Sequence, residues 1–224
     1  LTKSWRLNVV FTKEHIDDFL VWAVLGAILG GRVGYVLFYN SAQYLENPAD
    51  ILQVWKGGMS FHGGLIGMTL SMFIFAKLRH LSFLRLADLV ACAAPIGLFF
   101  GRIANFINGE LFGRPTSGDW GMIFRFVDDQ PRHPSQLYEA ALEGGLLFVL
   151  LFLLTRLRCV QSSPGLAASI FLGGYGALRF LVEYTRQPDA QLGLFWDMFS
   201  MGQILCAAMV LTAIIAGVLC KART

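Results

Sequence analysis

Residues 137–155 read LYEAALEGGLLFVLLFLLT, a run that is apolar apart from Tyr138, Thr155 and two carboxylates, Glu139 and Glu143. As a helix rising about 1.5 Å per residue it is close to the roughly 30 Å hydrocarbon core of a bilayer, so it reads as one membrane crossing. Five more stretches are of similar apolar length, at 19–38, 62–76, 84–107, 165–183 and 199–220. Long continuous apolar runs exclude a membrane β-barrel, which needs many short alternating strands. The expected fold is therefore all-α, a polytopic transmembrane helix bundle of six spans forming a single integral-membrane domain over 1–224.

Composition agrees. Of the 224 residues 55% are hydrophobic and 15% charged, against about 25% charged in soluble domains, and the mean hydropathy is +0.57. A net charge of +3 with no clustered basic face argues against nucleic acid as a partner. Cys92, Cys159, Cys206 and Cys220 show no metal-ligand or redox spacing and read as small buried hydrophobes.

Orientation follows from the basic residues. Alternate connections receive ten Lys and Arg on one side and five on the other, while Arg32, Arg102 and Arg179 fall inside spans. The tail and the C-terminus are thus expected in the cytoplasm. The longest connection, 108–136, is expected outside as a small cap of turns, given its Gly, Pro, Asp and Trp.

An arginine at mid-span costs at least about 2.5 kcal/mol on insertion scales, so the intramembrane charges need an explanation. Asp88 and Glu143, with no motif around them, read as interhelical fasteners. In Gly101 to Arg114, by contrast, Arg102, Asn105 and Gly109 share one helical face as a span ends, with Asn108 and Glu110 just beyond. A guanidinium fork beside two amides suits an anionic oxygen cluster such as a phosphate. Gly101, Gly109 and Gly113 would admit a ligand or another helix close to the backbone. Tyr175, Arg179, Glu183 and Arg186 fall within about 80° of one helical face, as an anion-binding stripe or as a plain Arg179–Glu183 pair. His62, in FHGGLIG and preceded by KGGMS, with glycines either side that would give close access to it, is a candidate general base or a structural histidine. Arg32 in GGRVGY and the run HPSQLYE from His133 to Glu139 are weaker signals of the same kind. By the orientation count all five clusters lie in the outer leaflet, as a site for an amphiphile with an anionic head requires.

Residues 101–113 resemble the signature of the prolipoprotein diacylglyceryl transferase family, Gly-Arg-x-Gly/Ala-Asn-Phe-x-Asn-x-Glu-x-x-Gly, at every fixed position. HGGLIG from His62, HPSQLYE from His133 and YGALR through Glu183 to Arg186-Gln-Pro-Asp189 match that family in order. The resemblance implies an enzyme of the bacterial inner membrane that moves the diacylglyceryl group of phosphatidylglycerol to the lipobox cysteine thiol of a preprolipoprotein. A thioether forms and glycerol 1-phosphate leaves. It implies Arg102 and Arg179 as the groups that hold accumulating negative charge, and His62 or, second, Tyr175 as the thiol base, unless the arginines lower the thiol pKa unaided. Asn105, Asn108, Glu110, Gly113, Glu183, Arg186 and Arg32 are the implied substrate-binding residues. No cysteine of this chain is catalytic on that reading, and no metal or organic cofactor is implied. Family members usually carry seven spans, the first bearing a functional Tyr. Nothing in residues 1–18 corresponds to it, so the resemblance implies either a first helix before Leu1 or a shortened form.

The competing classes leave different traces. A transporter for an anionic solute predicts polar residues in both leaflets and often an inverted repeat, and the sequence has neither. A scaffold would tolerate loss of Arg102 without loss of a chemical product. A metal-dependent phospholipid transferase would need clustered acidic ligands in the spans.

Overall fold

The computed structural model describes residues 2–4, 9–39, 41–187, 194–195 and 199–222. Leu1, Pro188 and Asp189, named above, and Arg6 and Arg223, which belong to the ten basic residues of the charge count, lie outside them. Each of the six expected apolar stretches is helical. Five of the helices are long and apolar enough to cross a membrane, at Lys13–Phe38, Phe61–Leu78, Phe83–Asn108, Ser135–Leu154 and Met201–Ala222. The sixth, Leu166–Val182, has 17 residues and is shorter than its sequence run.

The chain divides into two compact units, Leu1–Leu86 and Ala87–Thr224. The first opens with a hairpin of β1 (Thr2–Ser4) and β2 (Val9–Phe11). It continues with α1 (Lys13–Phe38), the short α2 (Ser41–Glu46), two 3-10 turns at Pro48–Leu52 and Val54–Lys56, and α3 (Phe61–Leu78). Helix α1 starts six residues before the apolar run because Thr12 caps it. Its hydroxyl accepts from the His15 amide at 3.2 Å while the Thr12 amide donates to His15 Nδ1 at 3.4 Å.

Glycine decides how α1 and α3 meet. Gly26, Gly30 and Gly34 recur every fourth residue and face Gly63, Gly67 and Ser71. A Cβ on Gly30 would lie 2.4 Å from the Gly63 carbonyl oxygen, and one on Gly67 would lie 2.2 Å from that of Gly26. With lipid supplying no hydrophobic drive between helices, small residues let the backbones touch and gain dispersion contacts. The glycines around His62 and Arg32 therefore serve helix contact.

Arg32 is buried and fully engaged. Its Nε donates to the Ile51 carbonyl at 2.8 Å, Nη1 to Gly57 at 2.7 Å and Gly58 at 3.0 Å, and Nη2 to Asp50 at 2.5 Å and Gln53 at 3.4 Å. Five acceptors match the five N–H donors of a guanidinium. The expectation that Arg32 binds substrate is corrected on that ground, since its fork holds the loop between α2 and α3.

The second unit takes in most of α4 (Phe83–Asn108) and the connecting segment 109–134 (the cap segment of the sequence reading), in which β3 (Met122–Ile123) pairs with β4 (Pro131–Arg132). A rod follows, made of α5 (Ser135–Glu139), a π-helical segment (Ala140–Leu146) and α6 (Leu147–Leu154). The short α7 (Arg158–Ser162) leads into α8 (Leu166–Val182). The strands β5 (Leu194–Phe195) and β6 (Phe199–Ser200) pair ahead of α9 (Met201–Ala222). Helices α8 and α9 again approach through small residues, Gly176 against the Cys206 carbonyl and Gly173 against Ala213. Asp88 is a fastener, as expected: buried on α4, it accepts from the Gly165 and Ala168 amides at 2.8 and 3.0 Å and so caps α8 from another helix. Cys206 and Cys220 are buried, but Cys159 is exposed because α7 lies on a connection between spans. The long helices also carry broad apolar faces open to their surroundings, as lipid-facing helices should.

Candidate functional site

Helix α4 ends in a tight C-terminal motif. Gly109 sits at φ +70°, its amide bonds the Phe106 carbonyl at 3.1 Å, and the Glu110 amide bonds the Asn105 carbonyl at 2.9 Å. That turn brings Glu110 back over the helix end, where the Asn105 side chain donates to it at 3.2 Å. Asn108 is the exposed last residue of α4. Arg102, one turn earlier on the Asn105 side, points into the second unit.

There it meets two glutamates from the rod. Arg102 Nε lies 2.6 Å from Glu139 Oε2 and its Nη2 is 4.0 Å from Glu143 Oε2. Arg179, from α8, reaches the same pair, with Nη1 2.8 Å from Glu139 Oε1 and 3.7 Å from Glu143 Oε1, while its Nη2 is 3.2 Å from Glu183. Arg186 adds a third guanidinium, 3.0 Å from Glu139 Oε1 and 3.6 Å from Glu183. Glu139 is thus the hub, one carboxylate shared by three arginines. The side chains of Glu139 and Glu143 are 0% exposed, whereas those of Arg102, Arg179 and Arg186 keep 15–18%.

The stripe predicted on α8 converges by a different route. The helix stops at Val182, and the turn Glu183–Thr185 carries Arg186 back to the cluster. Glu183 is seated by the start of α9. Ser200 Oγ donates to Glu183 Oε1 at 3.0 Å, and a Cβ at Gly202 would lie 2.7 Å from the same oxygen. Tyr175 precedes Arg179 by one turn of α8, its ring stacked on Phe171.

Gly113 is a crossing point. Its amide bonds the His133 carbonyl at 3.0 Å, it bridges Arg186, and a Cβ there would lie 2.5 Å from the Thr185 carbonyl oxygen. Arg114 extends the seam with its amide on Thr185 at 2.9 Å and its Nε on the Arg186 carbonyl at 2.7 Å. The cap is in this way sewn to the segment that carries Arg186. In the cap itself, the Arg132 guanidinium beside Asp128, Nη2 to Oδ2 at 2.6 Å, holds that carboxyl below the usual range. His62 and Arg32 belong to the first unit, where His62 is exposed in the first turn of α3. Among the described residues no group of His, Cys, Asp and Glu is arranged to hold a metal ion.

A sequence model of prolipoprotein diacylglyceryl transferase matches residues 2–219. The chain belongs to that family. It is 58% identical over 200 residues to the phosphatidylglycerol–prolipoprotein diacylglyceryl transferase of Azospirillum brasilense, covering 88% of this chain and 75% of that protein. The enzyme of the same name from Paramagnetospirillum magneticum is 52% identical over 204 residues, covering 91% and 76%. That of Rhodospirillum rubrum is 53% identical over 213 residues, covering 95% and 78%.

For a diacylglyceryl transferase family member, the cluster unites Arg102, Arg179, Glu183 and Arg186 from the sequence reading. It adds two residues that reading left aside. Glu139 stood out only as the end of HPSQLYE, and Glu143 only as a fastener. Their spacing of four residues on an apolar run was the available signal, since two carboxylates on one face of a membrane helix demand cations. The Ser200 and Gly202 seat left no local signal.

Proposed function

We propose that the arginine–glutamate cluster of the second unit is the seat of diacylglyceryl transfer from phosphatidylglycerol to a prolipoprotein in a bacterial membrane. The observation that carries this is the layering of the cluster: Glu139 and Glu143 wholly buried, the three guanidiniums around them still partly open. Arginines anchored from behind keep N–H donors for a phosphate, with little reorganisation left for the moment of reaction.

The chemistry needs that arrangement. The lipobox cysteine sulfur attacks the glyceryl carbon, the S–C bond forms as the C–O bond to phosphorus breaks, and the thiol proton departs. Glycerol 1-phosphate leaves as the diester becomes a monoester and its negative charge grows. Arg102 and Arg179 face that charge, with Arg186 beside them. Asn105 and Glu110 offer a donor and an acceptor for head-group hydroxyls one turn beyond Arg102, with Asn108 at the helix end, while Glu183 orients Arg179 and Arg186. Gly113 contributes by allowing the seam that holds Arg186. For the thiol proton His62 is proposed on its chemistry, with Tyr175 second; a pH–rate profile for His62→Gln and Tyr175→Phe separates them. The bias of Lys and Arg supports an inner-membrane orientation with the C-terminus in the cytoplasm and the cluster toward the extracytoplasmic side.

The test uses the protein in liposomes of phosphatidylglycerol with a lipobox peptide and its Cys→Ser version. A diacylglyceryl mass gain on the Cys peptide alone, together with released glycerol phosphate, is expected. Arg102→Ala, still folded, should lower the rate by about a hundredfold or more, the usual effect of removing a donor to developing negative charge. No mass gain from the folded wild-type protein overturns the reading.

A further inference from the structure

Three guanidiniums and three carboxylates meet in the cluster, so its formal charge is zero. A pocket selected only to grip an anion would be positive. Glu139 and Glu183 have evident work, since each lies within 3.2 Å of a guanidinium that it orients. Glu143 does not. It is 0% exposed, neither of its oxygens accepts a hydrogen bond, and it meets its cations only at 3.7 and 4.0 Å. Its backbone lies in the π-helical segment Ala140–Leu146, a rare wide turn that occurs frequently at functional sites. The next residue, Gly144, pins that turn against α4, where a Cβ would lie 2.6 Å from that of Phe99. The carboxylate is thus aimed at Arg102 and Arg179 without bonding either. A buried carboxylate lacking hydrogen bonds is costly, and an apolar residue would fill the space at less expense.

We infer that Glu143 is a positioning residue, a counter-charge acting through Arg102 and Arg179 to limit how tightly the cluster holds a phosphate, so that the phosphomonoester product can leave. The inference rests on the transferase reading above. The diester substrate carries one negative charge and the monoester product close to two near neutral pH. A field that acts on twice the charge has twice the effect on binding free energy, so surplus positive charge would trap product more than it helps substrate. With Glu143 in place that surplus is cancelled.

The experiment compares wild type, Glu143→Gln and Glu143→Asp in mixed micelles of phosphatidylglycerol, reading kcat, KM for the lipid and inhibition by glycerol 1-phosphate. Glu143→Gln should lower KM by about threefold, tighten product inhibition by about tenfold and lower kcat as release becomes limiting, all of it weakened by salt. Glu143→Asp, which keeps the charge, should stay within about twofold of wild type in product inhibition. Should the Gln variant fold poorly, Glu143→Asn against Glu143→Asp makes the same charge comparison at equal length. Unchanged product inhibition, or a raised KM with lost thermal stability, overturns the counter-charge role and leaves Glu143 structural. Those outcomes are distinct from failure of the transferase reading, in which wild type itself yields no lipidated peptide.

Discussion

At the residue scale, two arginines of equal cost to the membrane have opposite uses. Arg32 gives all five donors to loop carbonyls, whereas Arg102 keeps part of its fork open beside Glu139. Replacement of Arg32 by alanine leaves several buried carbonyls without donors. It should destabilise the first unit by at least about 3 kcal/mol, since hydrogen bonds to a charged group contribute roughly 1.5–3 kcal/mol each. Thermal unfolding in detergent, with proteolysis at residues 47–58, checks this; a Tm within about 2 °C of wild type would show that the loop holds itself. The sequence ranked Arg32 as the weaker signal but still placed both arginines at the substrate. Both are basic residues among glycines in apolar runs, and which acceptors surround each depends on chain segments far from it in sequence.

At the element scale, helix pairing rests on absent side chains. Gly67→Leu would place a side chain where a Cβ already meets the Gly26 carbonyl at 2.2 Å, so α1 and α3 must separate. Loss of at least about 2 kcal/mol and poor membrane accumulation are expected, whereas Leu70→Ala on the exposed face should be nearly silent. Expression with thermal melting of the two variants decides it. In the cap, the amides of Gly113, Arg114 and His133 close the seam and should exchange slowly, while residues 117–130 exchange faster. The cap has its own pH dependence. Asp128 is held below its ordinary pKa by Arg132, so its contribution is present above the unfolded value of about 4 and is lost only as pH falls through the lower folded value. The amide of Gln130, which donates to Asp128 Oδ1 at 3.3 Å, should therefore keep its relative protection from pH 8 to 5. Asp128→Asn should remove that protection at every pH. The glycines near His62 read in the sequence as access to a catalytic group, and only the packed helices show that they also bring α1 and α3 together.

At the scale of the whole molecule, the exposed Cys159 gives a native reporter of topology. It lies on the connection that the charge bias assigns to the cytoplasm. A membrane-impermeant thiol reagent should label it in inverted vesicles and spare it in intact cells. In a Cys159→Ser background, Ser117→Cys in the cap should show the reverse. The same sidedness for both positions would overturn the proposed orientation. Five of the six apolar runs are helices of crossing length, and the short α8 owes its end to the turn that returns Arg186 to the cluster.

The sequence by itself determined the solvent, the approximate positions of the long apolar helices, the family, and four of the six charged residues that converge. Those properties follow from local length, periodicity and motif spacing, which a bilayer reads one segment at a time. Tertiary structure alone decided that Glu139 is the hub, that Glu143 sits unbonded behind two arginines, that Asp88 caps a helix other than its own, and that Arg32 serves a loop. Each of these is a pairing of charges or donors between distant segments. In a low-dielectric interior a charge is tolerable only beside its partner, and the partner is chosen by packing geometry.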